Sequence, residues 1–208
     1  MAETTTQAGI TAEQYRTLQR PVNLPKPNEV FDFEVERLVS KRVATYAQAD
    51  PFRKDVPSGL FLFMPLKPQE MDLNHLVSLI EVDGKRGVNY LAEQSLADEI
   101  EVPPAPYLAL DVEDGDGRSG VKPSVNLANI LAEHRSPGLT FEGIVHCFVF
   151  PEVLKHHFID LVGSRYESEG RPSLYLNGGR PELHAYWNDD AIAGWGAWSC
   201  GSRRGLRG

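Results

Sequence analysis

Cysteine, surplus basic charge and long apolar runs are all scarce in this sequence, and each shortage removes a class of protein. Two cysteines, Cys147 and Cys200, occur in 208 residues. A stapled secreted scaffold needs more, so free thiols in a reducing compartment are expected. No apolar run approaches the roughly 20 residues that span a bilayer. The opening "MAETTTQAGI" has neither the basic nor the apolar region of a secretion signal, so a cytoplasmic location without membrane contact is expected. Lys and Arg number 21 against 29 Asp and Glu, a net charge of −8. Such a chain repels phosphate backbones, which argues against nucleic-acid partners. HExxH, CxxC, P-loop, dinucleotide and G-x-S-x-G patterns are missing, so neither a metal nor a cofactor is indicated.

What is present is an ordinary globular composition, 41% hydrophobic and 24% charged, at a length that suits one domain. The chain divides into an arm over 1–30, a single α+β domain over 31–203 and a basic disordered tail over 204–208. Within the arm, a capping box at Thr11 and Gln14 predicts a short helix, followed by a proline-rich connector. Phe31, Val35, Leu38, Val39, Val43 and Tyr46 recur at helical spacing, interrupted by Arg42. "GLFLFMP" and "PYLALDV" read as strands, with the helical run "MDLNHLVSLIEV" and the weak strand "GVNYL" between them. Ser124 and Thr140 are expected to cap two further helices, the first with Leu127, Ile130 and Leu131 inward. The last third changes character. "FIDLVGS", "SLYLN", "ELHAYW" and "GWGAWSC" alternate with Gly, Asn, Asp and Pro turns, the pattern of an antiparallel meander. Helices should therefore lie mainly in the first two thirds.

Strand parity selects the candidate site. Side chains alternate faces along a strand, so Leu183, Ala185 and Trp187 share one face and Glu182, His184 and Tyr186 the other. Leu174 and Leu176 likewise oppose Ser173, Tyr175 and Asn177. The apolar sets should meet in the core, with Trp187 among them. The other sets place His184, Tyr186, Tyr175 and Asn177 on one polar aromatic surface, which is either an ordinary solvated face or the wall of a cleft. As a cleft, it would use His184, Asp189 or Asp190 as general acid or base. Tyr175 and Tyr186 would orient a ligand, Trp195 would stack on it, and Arg165 or Arg203 would hold an anionic group. Asp189 and Asp190 also suit the turn they occupy. The acidic loop "DVEDGDGRSG" fails the calcium-loop test, because position 6 is Asp116 and position 12 is Lys122. The expected function is binding of a small metabolite, with cofactor-independent cyclase, isomerase or hydrolase chemistry. The alternative is a protein–protein or self-association module, monomer or homodimer, anchored by Trp195 or Trp198, which parity sets on opposite faces.

The stretches "FDFEVERLV", "GLFLFMPLKPQEMDLNHLVSLIEVDGKRGV", "VPPAPYLALDVEDGD", "SPGLTFEGIVHC" and "RPSLYLNGGRPELHAYW…GWGAWSCGSR" together resemble an actinobacterial family of unknown function. The resemblance covers about residues 31–203. It implies an aromatic strand, a turn and a glycine-containing strand closing in Gly-Ser-Arg, and it lends no catalytic role. Relatives carry a histidine in that turn where this chain has Ile192.

Overall fold

The computed structural model describes residues 26–206; the arm helix expected near Thr11 lies outside them. Helix α1 is Pro27–Ser40, and it begins before Phe31 because proline at the first turn loses no helical hydrogen bond. It buries Val30, Phe31, Val35 and Leu38, with Glu34 among them. The helical stripe does not continue to Tyr46. The chain turns at Arg42, which takes φ 61°, and leads through the short α2 (Tyr46–Ala49).

Strand β1 (Phe61–Met64) is buried throughout, as its unbroken apolar run predicts. Helix α3 (Leu73–Ser78) starts where the Asp72 carboxylate accepts the His75 N–H at 2.7 Å. Then come the small hairpin β2 (Glu81–Val82) and β3 (Lys85–Arg86), followed by β4 (Val88–Asn89), β5 (Leu96–Asp98) and β6 (Tyr107–Glu113). Helix α4 (Pro123–Ala132) buries Pro123, Asn126 and Ile130, whereas Leu131, expected inward, is exposed. Strand β7 (Ser136–Pro137) leads into α5 (Thr140–Val149), a helix buried almost all round. Its N-cap is Leu139 and not Thr140, whose N–H goes instead to Ser164 Oγ at 2.8 Å.

The remaining strands are β8 (Phe158–Asp160), β9 (Ser164–Tyr166), β10 (Gly170–Asn177), β11 (Arg180–Trp187), β12 (Trp195–Ala197) and β13 (Ser199–Gly205). β10 and β11 form the expected antiparallel hairpin. Gly178 and Gly179 both take positive φ at its two-residue turn, a geometry that glycine meets without strain. Two sheets result. One has the order β1-β6-β13-β7. The other runs β12-β8-β10-β11-β4, with β9 and β5 attached. The fold is α+β, with α1, α3 and α5 packed into the core between and beside the sheets.

The meander is broken in two places. β12 pairs parallel to β8, and β4 pairs parallel to β11. The "GWGAWSCGSR" run also leaves one sheet for the other at Trp198. Trp195 lies on β12 and Trp198 at the crossing between the two sheets, and both are buried. β13 continues through Arg204 and Gly205, which pair with Leu108 and Tyr107, so the expected free tail is strand to that point. Close backbone approach fixes Gly196. A Cβ there would sit 1.9 Å from the Gly115 carbonyl oxygen.

Candidate functional site

The register of β10 and β11 sets Ser173 against His184 and Tyr175 against Glu182. The polar face read from parity therefore exists. The Tyr175 hydroxyl donates to Glu182 at 2.9 Å, and the Asn177 amide approaches the same carboxylate. Tyr175 and Tyr186 meet edge to face at 5.8 Å between centroids. Trp195 arrives from β12 and packs 4.5 Å from Tyr186 and 5.1 Å from Tyr175, with Phe158 beyond it. Burial, then the neighbouring Tyr186 and Glu182, push the Tyr175 phenol well above its ordinary range. Trp195 thus backs Tyr186 from inside.

Further along β11 the same face opens into a groove of about 340 Å³. Its lining combines His184, Tyr186 and Trp187 at the end of β11 with Tyr90 just after β4, Tyr166, and the hairpin tip Glu167–Gly170. The His184 ring lies 5.2 Å from Tyr186 and 5.7 Å from Tyr90. The groove exists because β4 stops early. The Tyr90 N–H still reaches the Leu183 carbonyl at 2.9 Å, but beyond it the edge of β11 is uncovered. Trp187, expected in the core, is 63% exposed. Its partner across the ladder is Gly170, at the very start of β10, so the sheet ends there and nothing covers the indole.

The structure brings His184 and Tyr186 into this groove, with Tyr175 and Trp195 behind. It places the other expected residues elsewhere. Asp189 accepts a hydrogen bond from Ser124 Oγ at 2.8 Å and fastens the turn to the start of α4; Asp190 is exposed on that turn. Arg165, on β9, is held by Glu99 at 2.9 Å, and Arg171 shares that carboxylate at 2.5 Å. The shared guanidiniums keep Glu99 below the usual carboxylate range against a partial burial penalty.

Arg203 lies in the other sheet and is buried. It forms a two-point pair with Glu142, both contacts at 2.7 Å, and it also donates to Ser136 and to the Pro137 carbonyl. Tyr107 joins through a 2.9 Å bond to Glu142. This cluster ties β13 to α5 and is structural.

A second hollow, of about 510 Å³, lies over the acidic loop at Asp111–Arg118. Three of its five carboxylates are held by arginines: Arg118 bridges Glu113 and Glu133, and Arg135 holds Asp111 at 2.6 Å, while Asp114 and Asp116 lie 3.6 and 4.0 Å from the His157 ring. Among the described residues no group of three or more His, Cys, Asp or Glu could hold a metal ion. Both cysteines are free and buried, and burial pushes both thiols up, Cys200 to about 12.

Sequence reasoning missed Tyr90, Tyr166 and Trp187 as groove residues. Tyr90 is 94 positions from His184 and reaches it only through a parallel pairing, which leaves no local pattern.

The match to known families adds the outline. The chain belongs to DUF5701, a family of unknown function. Its model matches residues 26–205, so core, sheets and groove all fall inside it. No curated protein and no solved structure matches the chain. Because the family description assigns no activity, no role passes from it to His184 or Tyr186.

Proposed function

We propose that this chain binds a small organic metabolite in the groove at the open edge of β11, with His184 as the group that exchanges a proton with it. The observation that carries the reading is the convergence of His184, Tyr186 and Trp187 of β11 with Tyr90, just after β4, on one concavity. Ligand sites are concave, mostly aromatic or apolar, and fixed by a few polar groups. His184 Nδ1 is engaged with the backbone of Ala185 at 2.8 Å, which orients the imidazole and leaves Nε2 as its working atom. A positioned imidazole serves proton transfer at neutral pH, as in a cyclisation, isomerisation or hydrolysis that needs no cofactor. Asp189 is committed to Ser124 and Arg203 to Glu142, so the reading rests on His184 and not on them. We place the protein in the cytoplasm, where two buried free thiols persist; among the described residues no helix is long and apolar enough to cross a membrane.

Native mass spectrometry of the full chain, purified without denaturation, tests the proposal. An extra mass is expected that is released on denaturation and absent from the Tyr90→Ala/Trp187→Ala double variant. A bare chain, or an adduct that the double variant retains, would overturn it.

One observation favours the interaction reading instead. Trp187 and Tyr90 are 63% and 53% exposed on the same groove, and an exposed tryptophan is a good interface anchor. On that reading Trp187, and not Trp195 or Trp198, holds a second copy. A dimer that dissociates on Trp187→Ala would favour it.

A further inference from the structure

We infer that the molecule held in the groove carries a positive charge, presented as a quaternary or protonated amine to the aromatic walls. The inference rests on the reading of the groove as a ligand site, and it names the class of ligand.

The lining supports a cation from two directions. Four aromatic residues, Tyr90, Tyr166, Tyr186 and Trp187, line the groove, and the Tyr90 and Tyr186 rings lie 5.7 and 5.2 Å from the His184 imidazole. A cation within about 6 Å of such a ring is drawn to its negative face, most strongly by tryptophan. Glu167 and Glu169 stand on the rim, while among the described residues no lysine or arginine lines the groove. An anionic ligand would meet two carboxylates with no compensating charge; a cationic one meets a matched field.

The rim is also held in place. The Glu167 N–H donates to the Ser95 carbonyl at 2.9 Å, and the Tyr166 hydroxyl accepts from Ala92. Glu167 takes φ 52°, a left-handed conformation that this anchoring sustains. The nearest guanidiniums compete little. Arg165 and Arg171 both direct their charge onto Glu99, and Arg165 further donates to the Glu167 carbonyl oxygen.

The test uses choline and 3,3-dimethylbutan-1-ol, which share a shape and differ in charge. The full chain is titrated with each at constant ionic strength while the Ala185 amide and the Trp187 indole N–H are followed by NMR. Choline is expected to shift both signals saturably, with the alcohol about tenfold weaker, because a ring face discriminates charge. Glu167→Gln/Glu169→Gln should weaken choline about threefold or more and leave the alcohol unchanged. Equal affinity for the two probes would overturn the charge assignment while leaving the groove a ligand site. Silence at both signals with both probes would also overturn it. The native mass experiment reports separately on whether the groove holds any ligand.

Discussion

The backbone N–H of Ala185 donates to Nδ1 of the preceding residue, His184, at 2.8 Å. This contact explains why one residue can guard an edge and line a groove. Ala185 faces Pro172 across the ladder, and proline has no N–H to exchange. The Ala185 groups therefore point away from β10, toward the side that β4 has already left. An uncovered edge invites pairing with another chain, and the imidazole closes it.

His184→Ala should uncover that amide. Hydrogen exchange at Ala185 is expected to speed up about tenfold or more, with amides of Leu174 and Leu183 unchanged, since local opening leaves the core intact. Unchanged exchange at Ala185 would show that the ring does not cover the edge.

The three tryptophans should separate by cost. The Trp198 side chain is fully buried, so Trp198→Ala, which keeps the backbone bonds to Asp160 and Gly138, should cost about 3–5 kcal/mol through the lost packing. Trp187→Ala, at an exposed sheet end, should stay within about 0.5 kcal/mol. Urea unfolding of the two variants checks the contrast.

The Arg203–Glu142 pair should behave as a buried ion pair. Arg203→Met leaves a fully buried carboxylate without its partner and should cost about 3–5 kcal/mol. Arg203→Lys should recover less than half of this, because an ammonium cannot make the two-point contact. The double variant Arg203→Met/Glu142→Leu should be more stable than Arg203→Met alone.

Two buried groups should pull stability in opposite directions with pH. Burial lifts Asp160 from an ordinary 3.8 to about 6, against a lowering bond from Ser173. The folded chain then keeps a proton that the unfolded chain releases, so this group's contribution is full below about 4 and lost as pH rises to 6. Burial takes His146 from 6.5 down to about 4. The folded chain lacks a proton there that the unfolded chain binds, so this contribution is present above about 6.5 and lost as pH falls to 4. Asp160→Asn, which still accepts from Ser173, should leave the His146 slope alone: stability should rise by on the order of 2 kcal/mol between pH 4 and 6.5, where wild type is flatter. Glu34, also raised by burial, predicts that Glu34→Gln gains on wild type as pH rises above about 4.5. Thermal unfolding across pH 4–8 checks both.

The legible features were those set by local chemistry. The apolar run of β1, the helix stripe of α1 and the two-glycine hairpin each carry their cause within a few residues. Parity within that hairpin brought His184, Tyr186 and Tyr175 to one face. What stayed hidden was long-range. The crossing between sheets at Trp198 falls at a position with no marker of its own. The exposure of Trp187 depends on where β10 begins, and the groove on where β4 stops. Arg203 looked like an anion-binding group because its partner, Glu142, sits 61 positions away on a helix.

The most direct test is an amide NMR spectrum of the full chain with and without a low-molecular-mass cell extract. The account predicts shifts confined to Tyr90, Tyr166, Ala185, Tyr186 and Trp187, lost in Tyr90→Ala/Trp187→Ala. Shifts centred on the Asp111–Arg118 loop, or unchanged in the double variant, would contradict it.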